Sequence, residues 1–318
     1  MLAAYAASTS PTDPLSGLVV GERPAPEARE NWTVVDVRAA SLNHHDLWSL
    51  RGVGLPDEAL PMILGTDAAG VTPDGREVVV HGVIGADGHG VGPRERRTLL
   101  SEKYPGTLAE QVAVPTANLL DKPATLSFAE AACLPTAWLT AYSLLFRASE
   151  LRPGSSVLVQ GAGGGVSSAA IALGVAAGLE VFATSRSAEK RERAAALGAT
   201  AVEPGARLPR RVDAVVETVG RATWAHSAAS VRPGGTIAVA GATTGDADAA
   251  QLTRIFFQEI RVQGVTMGSR DDLAALLAFL GTHDLRPTIA LEVPLTDTAR
   301  GIGLMAEGTQ FGKVVVLP

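Results

Sequence analysis

The chain has a single cysteine, Cys133, among 318 residues. No intrachain disulfide can form, and no cysteine-rich structural zinc site can be built. A lone thiol suits a reducing compartment, so a cytoplasmic setting is expected. Aromatic residues make up only 4% while hydrophobic residues reach 46%, so the cores must be built from Ala, Val and Leu. Positive charge is also scarce. The net charge is −6, and no long Lys or Arg run occurs. Nucleic acid is therefore not an expected partner, because phosphate neutralisation needs a concentrated basic face. The densest basic cluster, Pro93 to Lys103, also carries two glutamates and reads as a solvated loop. Apolar runs such as Ser168 to Gly178 are too short for a bilayer span and contain glycine. The opening stretch, Met1 to Gly17, has neither the basic start nor the apolar run of a signal peptide. No membrane segment, internal repeat or low-complexity tract is expected.

What is present has a clear order. The length suits two domains. The first part, to about residue 120, reads as β-rich, with valine-rich runs such as "WTVVDVRAA" and "REVVVHGVI" bounded by Gly, Pro and Asp. At Ser127 the texture changes to helical spacing, and Ser127 with Glu130 resembles a capping box. Strands and helices then alternate. "SSVLVQG", "EVFATS", "VDAVVETVG", "GGTIAVAGA" and "RVQGVTM" are strands. "GVSSAAIALGVAAG", "AEKRERAAALGA", "RATWAHSAASV" and "DAAQLTRIFFQEI" are helices. This alternation predicts a parallel sheet with right-handed crossovers. A further helix, "DDLAALLAFLG", precedes a tail that reads as β-rich.

The segment "VLVQGAGGGVSSAA" follows a buried strand and opens a helix. Glycines there let the backbone approach a pyrophosphate, and the helix N-terminus favours its charge. Gly161, Ala162, Gly163, Gly164, Gly165 and Val166 are the candidate loop. The next strand ends in Ser185 and Arg186, with Lys190 nearby, where an acidic residue would mark a free ribose 2′-hydroxyl. Hydroxyl and cationic groups suit a 2′-phosphate instead, so NADPH is expected over NADH.

Eight segments in order now carry a resemblance. They are "SLNHHDLWSLRG", "PMILGTDAAGV", "GTLAEQVAVP", "ACLPTAWLTAYSLL", "VLVQGAGGGV", "VRPGGTIAVAGA", "VTMGSRDDL" and "FGKVVVLP". The chain resembles the medium-chain dehydrogenase/reductase superfamily and is most similar to its zinc-independent, quinone-oxidoreductase-like branch. The resemblance implies an α/β protein: a Rossmann doubly wound parallel sheet inserted into a GroES-like β-rich catalytic domain. The expected boundaries are 1–123 and 268–318 for the catalytic domain and 124–267 for the NADP-binding domain. Zinc-dependent relatives carry ligands at the positions of Asn43, Thr66 and Thr136, and none of these residues is a good zinc ligand. "GADGHGVGPRERRTLLSEKYPG" stands where their four-cysteine lobe would be. A metal held differently stays open, since His44, His45, Asp46, Asp67 and Cys133 are ligand types. On an extended segment, however, His44 and His45 would point to opposite faces.

By the same resemblance, Asn43, His45 and Asp46 form a catalytic wall. Asn43 lies near the nicotinamide, His45 stands at a hydroxyl proton-relay position, and Asp46 supports the site from within. His44 falls near the cofactor pyrophosphate. A hydrogen-bonded pair of histidines in a turn is the plainer alternative. Thr140, Thr218, Val219, Gly241, Ala242, Met267, Gly268 and Ser269 should line the cofactor, and Lys313 should approach its diphosphate. For Met267, core packing is the competing reading. Two residues depart from the family pattern: Ser167, which replaces the last loop glycine, and His45 itself. Trp48 lines a flat pocket or packs in the core. The implied activity is zinc-independent reduction by NADPH of a small conjugated acceptor, a quinone or an α,β-unsaturated carbonyl. The rivals are an alcohol dehydrogenase acting on a simple carbonyl and a non-catalytic NADPH-binding protein. A homodimer through the "RVQGVTM" edge is expected.

Overall fold

The computed structural model describes residues 1–85 and 97–318. The chain divides into two compact units, Met1–Thr136 with Ser269–Pro318, and Ala137–Gly268. The first unit thus extends past the expected end at 123. The helix Phe128–Ala132, started by the Ser127–Glu130 capping box, packs on strands Trp32–Ser41 and Asp67–Val71. The Ser41 hydroxyl donates to the Ala132 carbonyl at 2.9 Å, which ties this helix to the sheet.

In the first unit, a seven-stranded sheet runs Leu119–Asp121, Glu77–Val80, Asp67–Val71, Trp32–Ser41, Lys313–Leu317, Ile289–Pro294, with Gln111–Pro115 also on Trp32–Ser41. Two neighbouring strands of this sheet, Trp32–Ser41 and Lys313–Leu317, come from opposite ends of the sequence. Lys313–Leu317 pairs with Trp32–Ser41 at Ser41 and Ala40, which brings Lys313 to the chain just before Asn43. The core is built of Val, Leu and Ala, as the composition requires. The tail read as β-rich also holds a helix, Thr298–Glu307. Its buried residues Thr298, Gly301, Ile302 and Met305 follow a helical period, but two glycines lower its intrinsic propensity and obscure the signal. A side chain at Gly301 would fall 2.8 Å from Leu42, so glycine there lets the helix lie close to the sheet.

The second unit contains a six-stranded parallel sheet. Its order is Thr200–Val202, Glu180–Thr184, Ser156–Val159, Val212–Glu217, Val231–Val239, Arg261–Gly264. The chain starts at Ser156–Val159, winds to one side, then returns to wind to the other. The strand order therefore reverses between Ser156–Val159 and Val212–Glu217, and ligands of such sheets sit outside the carboxyl ends at that point. Thr200–Val202 is an edge strand of three residues, too short to show a pattern in the sequence. The helix expected over 127–148 contains wide π turns at Leu134–Trp138 and Ser143–Ala148. Pro135 has no N–H to give, which favours a shifted register at the first of them. The helix expected from "DAAQLTRIFFQEI" is confined to Leu252–Phe257.

Candidate active site

The stretch around the two histidines is helical, not extended. Asn43 is the last extended residue, and His44–Leu50 form a helix. The backbone N–H of Asn43 donates to the Asp46 carboxylate at 2.8 Å, and the N–H of Gly65 donates to its other oxygen at 2.9 Å. Burial of Asp46 raises its pKa, against the lowering from His45 and these two N–H groups. Successive helical residues are about 100° apart, so His44 and His45 still diverge. His44 is half-buried, and its pKa is lowered by burial first, then by Lys313 and Arg51. Trp48 is also half-buried on this helix.

Asp67 is the hub that the sequence shows only as one acidic residue among several. It is fully buried. Its carboxylate accepts from Ser41 Oγ at 2.8 Å, Asn43 Nδ2 at 2.8 Å and Thr136 Oγ1 at 2.5 Å. Lys313 Nζ stands 3.4 Å away. Asn43 Nδ2 also reaches Thr66 Oγ1 at 3.1 Å, and the Thr66 and Thr136 hydroxyls are 3.0 Å apart. The three positions at which the resemblance implies zinc ligands are thus joined to one another and to one carboxylate. An amide nitrogen and two hydroxyls already committed to hydrogen bonds do not fit zinc, which takes thiolate, imidazole or carboxylate. Among the described residues, no three His, Cys, Asp or Glu side chains gather into a metal cluster. Cys133 donates its thiol to the Ala129 carbonyl, and burial pushes its pKa up to about 12, so it remains a neutral thiol.

Lys313, expected near the cofactor diphosphate, has partners within its own unit. It is buried, and its ammonium donates to Leu42 O at 2.7 Å and Asn43 Oδ1 at 2.6 Å besides facing Asp67. Three acceptors match the three hydrogens of an ammonium. His45 has a partner the sequence reading missed, Glu102, whose Oε1 lies 3.2 Å from Nε2. Part of the segment expected to replace the cysteine lobe, residues 86–96, lies outside the described residues.

In the second unit, several of the expected residues approach one another: Gly161 and Val219, Gly163 and Lys190, Gly241 and Thr218. Gly161 has φ +75° and Gly163 φ +127°. A Cβ on Gly161 would lie 2.8 Å from Val219, and one on Gly163 would lie 2.8 Å from Lys190 Cδ. Gly241 lies against the Thr218 backbone, and Ala242 against Gly220. The helix Gly165–Ala176 begins behind Gly164 with no side-chain cap, which leaves first-turn N–H groups for an anion. Val166 lies in that first turn, and Ala162 N–H donates to the Thr184 carbonyl at 2.6 Å. A cradle that any side chain would fill fits a dinucleotide pyrophosphate. Ser167 turns its departure from the pattern into a brace, with its hydroxyl 2.9 Å from Gly161 O and 3.1 Å from Gly164 O.

Two further residues hold these loops. Glu217 is fully buried and accepts from the N–H groups of Val219 and Gly220 and from the Thr223 and Ser227 hydroxyls. Arg191 donates to the carbonyls of Ser185 and Arg186, at 2.7 and 3.1 Å. Ser185 is buried and Arg186 exposed. Burial lowers the Lys190 pKa; Glu189 opposes this, and Arg186 and Arg193 add to it. Thr140 and Met267 are both nearly buried, and Met267 has φ +52°. A side chain at Gly268 would meet Ser143 and Leu139, so this turn lies against the helix that carries Thr140. Ser269 caps the helix Arg270–His283 with Asp272.

Comparison with known proteins agrees with this architecture. Residues 29–124 match the alcohol dehydrogenase GroES-like domain, and residues 165–282 match the zinc-binding dehydrogenase family. A zinc-type alcohol dehydrogenase-like protein of Schizosaccharomyces pombe is 30% identical, over 89% of this chain and 90% of its own. A solved NAD-dependent alcohol dehydrogenase is 33% identical with a TM-score of 0.89, covering 100% of both chains. A 2-octenoyl-CoA carboxylase reductase, solved with NADP and 2-octenoyl-CoA, is 25% identical with a TM-score of 0.90, over 99% of this chain and 87% of its own. With its GroES-like unit, its Rossmann-type sheet and these relatives, the chain belongs to the medium-chain dehydrogenase/reductase superfamily of oxidoreductases.

Proposed function

We propose that the protein is a zinc-independent, NADPH-dependent reductase of the quinone-oxidoreductase-like branch, acting on a small conjugated acceptor, a quinone or an α,β-unsaturated carbonyl. The observation that carries this is the closed network of Asn43, Thr66 and Thr136 on Asp67. Positions that polarise a carbonyl through zinc in relatives are occupied here by groups that bind each other. A conjugated acceptor needs less polarisation, because it delocalises the arriving charge. NADPH, when bound, supplies the hydride. The glycine loop and the N-terminus of Gly165–Ala176 hold the pyrophosphate. Ser185, Arg186 and Lys190 take the 2′-phosphate, with Arg191 fixing the loop that presents them. Thr140, Thr218, Val219, Gly241, Ala242, Met267 and Gly268 bound the remaining cofactor surface, and Ser269 follows them at the start of its helix. Asn43 and Asp46 shape the wall beside the acceptor, and His45 or water supplies the proton that completes the reduction. A reducing, cytoplasmic setting suits the single buried thiol. No helix among the described residues is long and apolar enough to cross a membrane.

The test is to follow NADPH oxidation against an ortho-quinone, a 2-alkenal and a saturated aldehyde, with NADH in parallel. Turnover of the quinone or the alkenal, with NADPH preferred, is expected. Activity confined to the saturated aldehyde would favour the alcohol dehydrogenase that several relatives are named for. Tight NADPH binding with no acceptor reduced would indicate a binding protein.

We also infer a homodimer through the edge strand Arg261–Gly264. Every residue of that strand is exposed, and Phe256 and Phe257 lie exposed just before it. An open strand edge beside apolar surface pairs readily with a second copy. Sedimentation equilibrium should give twice the chain mass; a single-chain mass would overturn the inference.

A further inference from the structure

The turn after Leu99 is built around His45. Ser101 is fully buried and adopts φ +67°, a left-handed conformation that costs a non-glycine residue about 1–3 kcal/mol. The Ser101 N–H donates to Tyr104 O at 2.8 Å, and the Leu100 N–H to Gly82 O at 2.9 Å. This backbone turns Glu102 back on its own start. Its Oε2 accepts from the Leu99 N–H and the Thr98 hydroxyl, each at 3.0 Å. That leaves Oε1 aimed at His45 Nε2, 3.2 Å away, while Ser101 Oγ lies 3.4 Å from Nδ1. The two ring nitrogens therefore differ. Nε2 faces a fixed carboxylate. Among the described residues, the hydrogen-bond contact at Nδ1 is the long one to the Ser101 hydroxyl.

We propose that Glu102 is a positioning residue, which anchors His45 through Nε2 and leaves Nδ1–H as the proton delivered to the reduced acceptor. This rests on the reductase reading above. Hydride adds to the electron-poor end of the acceptor, Nδ1–H protonates the resulting enolate or quinol anion, and solvent returns a proton to the neutral imidazole. The logic is that of a carboxylate orienting a histidine in a catalytic triad. The charges that act on the imidazole are Glu102 from the turn, which bonds it, and Asp46 and Asp67 at longer range. Burial alone would lower the pKa of His45. The Glu102 hydrogen bond and these three carboxylates outweigh it and hold the imidazole above its ordinary value. Burial raises Glu102 in turn, but its bonds to His45, Leu99 and Thr98 hold it below the usual carboxylate range. An acid with a raised pKa is charged at lower pH and loses its proton as pH rises through that pKa.

The experiment compares the wild-type protein with Glu102→Gln and Glu102→Asp, reading two quantities. One is the His45 titration midpoint, from NMR of the imidazole nitrogens, assigned with His45→Gln. The other is the alkaline limb of kcat/KM. Glu102→Gln is expected to lower both midpoints by about one pH unit or more, as loss of a neighbouring opposite charge does. Glu102→Asp should restore part of each shift. An unmoved NMR midpoint overturns the proposal, and needs no turnover to be read. A midpoint that moves while the kinetic limb stays fixed also overturns it, because His45 is then not the donor. If the wild type reduces no acceptor while the midpoint moves, the reductase reading fails instead, and the delivery step fails with it.

Discussion

Asp67→Ala is expected to lower folding stability by about 3–5 kcal/mol, the usual cost of stripping one partner from a buried ion pair. The substitution leaves the Lys313 ammonium buried without its counter-charge. It also releases the Ser41, Asn43 and Thr136 groups that the carboxylate gathers. Urea unfolding at neutral pH measures the loss. The double variant Asp67→Ala with Lys313→Met should be less destabilised than the single one, because the orphaned charge is gone. A loss below about 1 kcal/mol, in the range of a surface pair, would show that the carboxylate is not the hub described. Any reductase activity should fall together with stability, since the same carboxylate holds Asn43 in place.

Gly163→Val is expected to weaken NADPH binding at least tenfold, and to lower the melting temperature by whatever part of the backbone strain falls on folding. Gly163 has φ +127°, a region that side-chain-bearing residues rarely enter, and a Cβ there meets Lys190. Adopting that backbone costs about 1–3 kcal/mol, and each 1.4 kcal/mol of that cost taken from binding is about tenfold in Kd. On the proposed reading, the branched side chain also stands where the pyrophosphate approaches the loop. Titration of protein fluorescence or calorimetry with NADPH reads the effect. Unchanged affinity would mean that the dinucleotide does not lie on this loop.

The second unit was legible because its central strands, Ser156–Val159, Glu180–Thr184 and Val212–Glu217, are largely buried and its helices amphipathic or small. Runs such as "VLVQG" and "DAVVE" read directly as parallel strands, and glycine marks the loop where they switch. The residues that position the loops were not legible. Glu217 ends a strand, and only its five hydrogen bonds in three dimensions distinguish it from any buried carboxylate. In the first unit, Asn43, Thr66 and Thr136 were flagged through the resemblance, as positions where ligands are replaced. What replaced the ligands depends on contacts between residues far apart in sequence. Lys313 reaches Asn43 only because the last strand pairs beside the early one. Glu102 reaches His45 only through a left-handed turn at a serine, which no local propensity predicts. The histidine stretch was misread as extended because adjacent polar residues hide the helix that Asn43 and Asp46 start.

Hydrogen bonds among Asn43, Thr66, Thr136 and Asp67 stand where the resemblance implies zinc, and on the proposed reading reduction proceeds without it. Elemental analysis of the purified protein before and after a chelator, with alkenal or quinone turnover followed in parallel, tests it most directly. Far less than one metal ion per chain is expected, with the same turnover before chelation, after chelation and after zinc is restored. One tightly held zinc per chain, with turnover lost on its removal and regained on its return, would contradict it.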